Sequence, residues 1–207
     1  MSILDNIENP DINSDEFLDM ILSIDSGQGL YNAVQRINSL QDESVIDMDA
    51  KRAFNAQYGR GYDQNGKFEH IGSIANNSQS IGWVDLRLYI NCQRQDTIKL
   101  ISEFAKKCQE QGKEFYFKYC TDDKAKRADQ IVIYSCITDV EQYLSILKEI
   151  EQEHPEIIER CGKPPILTGK LNDWIGIGEE PDKLQRTTGA KSFSEVRTKI
   201  MEDVLRN

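Results

Sequence analysis

Two short runs, RLYIN at residues 87–91 and FYFKY at residues 115–119, constrain this chain more than any other feature. Both read as strands, and a strand sends alternate side chains to opposite faces. In the first, Leu86, Leu88 and Ile90 take one face while Arg87, Tyr89 and Asn91 take the other. In the second, Phe115, Phe117 and Tyr119 oppose Tyr116, Lys118 and Cys120. Pairing of the two strands sets an arginine, an asparagine and a lysine on one sheet face beside tyrosines, an arrangement suited to an anion.

The rest of the chain sharpens that reading. With 207 residues it can form one domain, or one domain with a small helical extension, and bury a sizeable core. Asp and Glu number 35 against 25 Lys and Arg, a net charge of −10. This balance argues against nucleic acid or an anionic membrane as the main partner, and makes clustered positive charge informative. Five cysteines without CxxC spacing or nearby histidines support neither a metal site nor a disulfide framework. Cys92, Cys120 and Cys136 are expected as small buried thiols. The acidic N-terminus lacks the basic and apolar regions of a secretory signal, and no apolar run reaches the roughly 18 residues of a membrane span. A reduced bacterial cytoplasm is the expected setting, with delivery by a specialised secretion system compatible with the sequence.

Coarse periodicity gives the organisation. Ser14 is placed to cap a helix over SDEFLDMILSI, and a second helix is expected over about 29–40. Residues 42–82 are rich in Gly, Asn and Ser and read as turns, with a hairpin around Gln64–Gly66. From Trp83 the pattern becomes clean: a strand (84–91), a helix (95–111), a strand (114–120), a charged loop, and a strand (130–136). Thr138 to Glu141 reads as a capping box opening a helix to about Glu153, which His154-Pro155 stops. A long irregular stretch, 161–191, follows, and Ser192 to Glu195 forms a second capping box for the terminal helix. The predicted fold is α+β, a mixed or antiparallel sheet flanked by helices, with residues 1–82 as a helical, turn-rich region packed on or leading into a core at 83–207.

Within the charged loop Arg127 and Asp129 flank an otherwise apolar strand; the arginine can grip phosphate at two points while the aspartate positions it. Lys124 and Lys126 read as a solvated turn. The 161–191 stretch exceeds the usual length of a structureless connection, and Pro164, Pro165, Trp174, Ile175 and Ile177 favour an ordered loop covering a site. Its Glu179 and Glu180 can orient a cation or serve as an acid, or belong to a surface turn.

RLYIN, FYFKY, KRADQIVIY, PPILTGKL with GIGEEP, and SFSEVRTKI occur in the order that resembles the type III effector Hop-A family, over about residues 83–203. That family is in turn similar to lyase components of lanthipeptide biosynthesis. The resemblance implies a phosphothreonine lyase-like fold and, in lyase members, β-elimination of phosphate from phosphoserine or phosphothreonine to leave a dehydroamino acid. It also admits members that bind without chemistry.

Such a reaction needs a base for the Cα proton, cations for the phosphate and an acid for the leaving group, with no metal or organic cofactor. Lys118 is the candidate base, which requires its pKa to fall from about 10.4 towards 7–8. Arg87, Asn91 and Arg127 are candidate phosphate ligands. Arg197, matching the family's SF-x-x-x-R pattern, is another. The acid stays open among Tyr89, Tyr134 and the Glu179/Glu180 pair. His154 reads as a surface residue and His70 as a structural one. Tyr89, Asp129 and Glu180 are supporting residues. The expected partners are a phosphorylated peptide or protein and an associated kinase. The competing readings are a phosphopeptide- or partner-binding module of the same fold and an ADP-ribosyltransferase with a strand-borne arginine and a late glutamate.

Overall fold

The computed structural model describes residues 7, 30–59, 61–62, 66–73, 84–180 and 193–206. The Ser14 helix, the turn residue Gln64 and the Ser192 cap lie outside them. The described elements are α1 (Leu30–Arg36), α2 (Met48–Tyr58), β1 (Gly61–Tyr62), β2 (Phe68–Gly72), β3 (Leu86–Ile90), α3 (Arg94–Glu110), β4 (Tyr116–Cys120), β5 (Ile131–Ser135), α4 (Val140–Glu153), α5 (Pro155–Ile158), β6 (Gly169–Lys170), β7 (Ile175–Glu179) and α6 (Phe193–Arg206). The strands form one antiparallel sheet in the order β1-β2-β4-β5-β3-β7-β6. The fold is α+β.

Alternation builds the sheet's inner face. Phe117 and Tyr119 of β4, Ile131 and Ile133 of β5, Leu88 and Ile90 of β3, and Ile175 and Ile177 of β7 all point into one cluster. Against them pack Ile98, Ile101, Phe104 and Cys108 of α3 and Tyr143, Leu147 and Ile150 of α4. Each fully buried large side chain contributes roughly 1.5–3 kcal/mol. Helix α2 closes the β2–β4 end through Phe54 and Tyr58, whose rings meet Phe117 and Phe115.

A second, smaller cluster joins Leu30 and Val34 of α1 to Leu167, with Met201 of α6 beside them. A Cβ on Gly176 would strike Thr168 and Pro164. The 164–168 loop therefore lies on the sheet's other face, and α1 and α6 pack over it there.

Four local expectations change. The strands carrying Arg87 and Lys118 do not pair, because β5 lies between β3 and β4. The 161–191 stretch is not irregular throughout, since it contains β7, whose backbone completes the sheet beside β3. The Thr138–Glu141 capping box is not formed: the N-cap is Asp139, whose carboxylate serves Lys113 and the Cys136 thiol. The 42–82 region is not merely turns, for Asp47 caps α2 by accepting from the amides of Asp49 and Ala50, and Gly59 (φ 73°) ends it. The expected hairpin is present as β1 against β2, and β2 joins the main sheet through β4.

Candidate functional site

The face opposite the main core is organised by two rows of register partners. One row runs Gly72, Tyr116, Tyr134, Arg87, Gly178 across β2, β4, β5, β3 and β7. The next runs His70, Lys118, Val132, Tyr89, Gly176. Arg87 and Lys118 thus share a face as expected, with β5 between them. The part of this face formed by His70, Lys118, Tyr116 and Tyr134 is half-buried, whereas Val132, Tyr89 and Arg87 are buried.

His70, read from the sequence as structural, stands beside the candidate base: its Cα partner is Lys118. Its Nδ1 lies 2.6 Å from the Tyr116 hydroxyl. Gly72 makes this possible. A Cβ there would approach Tyr116 Cδ2 to 3.0 Å, so the missing side chain lets the tyrosine ring lie across β2 towards the histidine. The Tyr116 ring lies 5.0 Å from that of Tyr134, tilted by 41°, and the Arg87 guanidinium sits 5.1 Å from the Tyr134 ring. A histidine, two phenols and a guanidinium so form one continuous run across four strands. The signal for His70 was present in the sequence: FEHIG has strand composition, and alternation from it sends Phe68 and His70 to one face.

Two of the three candidate phosphate arginines, Arg87 and Arg127, are held by carboxylates. Arg87 binds Glu180 through Nε and through Nη2, the latter at 2.8 Å. Burial works against the Arg87 cation, but the Glu180 hydrogen bond and the fields of Tyr89, Tyr134 and Glu180 outweigh it, raising its pKa. Arg127 grips Asp129 at 2.7 and 2.9 Å, and its Nη2 also donates to Gln35 of α1. Burial again opposes the charge and Asp129 with Tyr31 prevails. Asp129 thus positions Arg127, and Glu180 does the same for Arg87. Lys118 Nζ and the Arg127 guanidinium lie 4.4 and 5.2 Å from the ring of Phe68.

The other candidates are placed differently. Asn91 is buried and donates from Nδ2 to the carbonyls of Asn38 and Lys163 at 2.6 and 2.7 Å. Both amide protons are committed to the backbone, so Asn91 fastens two loops and stands outside the cationic group. Glu179 is exposed at the end of β7, opposite Leu86. Arg197 of α6 donates to the Leu167 carbonyl at 3.1 Å, and burial lowers its pKa against the field of Glu179. Burial raises the pKa of Tyr116 and of Tyr134, so both phenols keep their protons at neutral pH. Tyr89 is buried on the same face. His154 caps the end of α4, away from this face. There Glu103, Glu153 and His154 bring possible metal-ligand atoms within 4.8 Å of one another, but Glu153 already pairs with Lys107 at 2.8 Å. All five cysteines are free thiols; Cys92, Cys108 and Cys120 are buried, and Cys136 and Cys161 are half-buried.

No helix among the described residues is long and apolar enough to cross a membrane. No curated protein matches the sequence. Solved structures share the fold, among them two effector proteins. One is the effector protein from Pseudomonas syringae pv. tomato strain DC3000, with a TM-score of 0.63 at 14% identity, covering 93% of this chain and 84% of that one. The other is the effector protein from Pseudomonas syringae pv. syringae strain 61, with a TM-score of 0.60 at 12% identity, covering 90% and 82%. The model of the HopA1 effector protein family matches residues 65–207, which takes in β2 and His70 as well as the segments that carry the resemblance. The chain belongs to the HopA1 effector protein family.

Proposed function

We propose that this chain is a metal-independent phosphoserine/phosphothreonine lyase, acting on a phosphorylated peptide or protein. The observation that carries the reading is the direct opposition of His70 and Lys118 on the half-buried part of the face, with Tyr116 on His70 and Arg87 one row away. In the reaction, Lys118 Nζ takes the Cα proton of the phosphorylated residue. The C–H electron pair becomes the Cα=Cβ bond as the Cβ–O bond breaks. That bond's electrons leave with the bridging oxygen, which takes a proton from the His70 imidazolium, and the products are a dehydroamino acid and inorganic phosphate. Arg87, Arg127 and Arg197 supply positive charge for the phosphoryl oxygens.

Lys118 must lose its proton to act as a base; the Arg127 cation over the same Phe68 ring favours that loss, while the ring's own π face favours the ammonium. The Tyr116 hydroxyl fixes the orientation of the His70 ring, so that Nε2 faces the substrate. Tyr134 supports Tyr116 and Arg87 through its ring, and its protonated phenol remains a hydrogen-bond donor. Membership of an effector family supports action inside a host cell after delivery, on a substrate that a kinase has phosphorylated.

The test is incubation with phosphothreonine and phosphoserine peptides followed by mass analysis. The expected product lacks the elements of phosphoric acid and is absent with Lys118→Ala. Phosphate release that leaves the hydroxyl in place would make the protein a phosphatase. Unaltered peptide that nevertheless binds would make it a phosphopeptide-binding module.

A further inference from the structure

Tyr89 is 3% exposed, and its hydroxyl is buried with no hydrogen-bond partner among the described residues. A phenol normally finds a partner when buried, and leaving one unmet costs stability. Its surroundings are not all apolar. It feels the charges of Arg87, Asp129 and Glu180, and it stands in the same row as Lys118 with only Val132 between them. On its other side Gly176 is its register partner, Thr168 presses on Gly176, and the carbonyl of the preceding residue, Leu167, accepts from Arg197. The Tyr89 position therefore lies in its row between the loop that Arg197 binds and the lysine two strands away, and Arg197 feels the field of Tyr89. Strands lie about 4.8 Å apart, so Tyr89 and Lys118 are roughly 10 Å apart at the backbone. A phosphorylated side chain with a hydrogen bond at each end bridges that span.

We infer that the Tyr89 hydroxyl, with Arg197, forms the phosphoryl-oxygen subsite of this face, left without a partner among the described residues and open to a phosphate monoester. The inference rests on the lyase reading for its location relative to Lys118, but phosphate binding alone can test it. The hydroxyl donates to a phosphoryl oxygen while Arg197 compensates the charge. Burial disfavours the Arg197 cation, and an arriving anion relieves that penalty along with the phenol's.

The experiment compares wild type with Tyr89→Phe, which removes one oxygen and keeps the ring. Inorganic phosphate binding is measured by titration calorimetry, and thermal unfolding is followed with and without phosphate. The expected result is phosphate affinity about tenfold to a hundredfold weaker in Tyr89→Phe, as for loss of a hydrogen bond to a charged group. Without phosphate its melting temperature is equal to or above that of wild type, because the variant no longer buries an unmet hydroxyl. Arg197→Met is expected to weaken phosphate binding without the gain in stability. Equal phosphate affinity in wild type and Tyr89→Phe overturns the inference. So does a Tyr89→Phe protein that melts lower without phosphate, since the hydroxyl would then have a structural partner. If wild type binds phosphate through Tyr89 but never forms a dehydroamino acid, the lyase reading falls and the subsite stands. Elimination that proceeds with unchanged kcat and KM in Tyr89→Phe sinks the subsite and leaves the lyase reading intact.

Discussion

On the helix-packed face Glu69 is buried at 2% exposure and has three donors: Lys51 at 2.6 Å, the Tyr119 hydroxyl at 2.6 Å and Asn55 at 3.0 Å. On the opposite face Tyr89 is buried almost as deeply and has none among the described residues. The first arrangement ties α2 to β2 and β4, and it fixes their register. A slip of one residue would turn His70 and Lys118 to the wrong side of the sheet. The second arrangement gains the fold nothing. The Glu69 cluster holds strands together, and the Tyr89 hydroxyl is the group proposed to take a ligand; the same alternation places both.

The largest effect expected from this contrast is catalytic. Lys118→Ala should slow elimination by roughly 10²–10⁴-fold, measured as dehydroamino acid formed per minute, while the melting temperature stays close to wild type. A variant that melts early would move Lys118 from the chemistry to the framework. Next is Glu180→Gln, which leaves Arg87 buried beside a neutral partner. Breaking such a pair costs about 3–5 kcal/mol, to be read from urea unfolding. A change near zero would mean that this ion pair does not hold β7 against β3.

The core face should answer to acid. Burial pushes the Glu69 carboxyl up, but hydrogen bonds from Lys51, Tyr119 and Asn55 outweigh it and hold its pKa below the ordinary 4.5. A depressed folded value contributes stability that is present above about pH 4.5 and lost as pH falls through the folded value. Lys51→Met removes the strongest donor, so its unfolding on acidification should begin at higher pH than in wild type. Coincident acid transitions would show that Lys51 does not sustain the Glu69 charge. The smallest effect belongs to Gly72→Ala, where a methyl meets the Tyr116 ring. It should cost about 1 kcal/mol by overpacking and shift the imidazole NMR signals of His70, with the core signals unchanged.

Much of this was legible from residues alone. Strands β3, β4 and β5 and helices α3 and α4 follow from uninterrupted periodicity, and alternation correctly assigned the faces of Arg87, Tyr89 and Lys118. Strand order was not legible, because the pairing of β4 with β5 and of β5 with β3 depends on contacts between whole strands. Strand β7 was hidden by composition: IGIGE alternates, but glycine has poor strand propensity, and Gly176 is needed where Thr168 and Pro164 crowd the sheet. His70 was concealed by the Gly- and Asn-rich residues around a five-residue strand. Asn91 was misjudged because strand alternation sets the direction of a side chain and says nothing about which carbonyls arrive from Asn38 and Lys163.

The measurement that addresses the central claim most directly uses a phosphothreonine peptide carrying deuterium at Cα. Elimination through Lys118 predicts a product that has lost both the phosphate and the deuteron, formed by wild type and not by Lys118→Ala. A dephosphorylated product that keeps its deuterium and its hydroxyl would contradict the account.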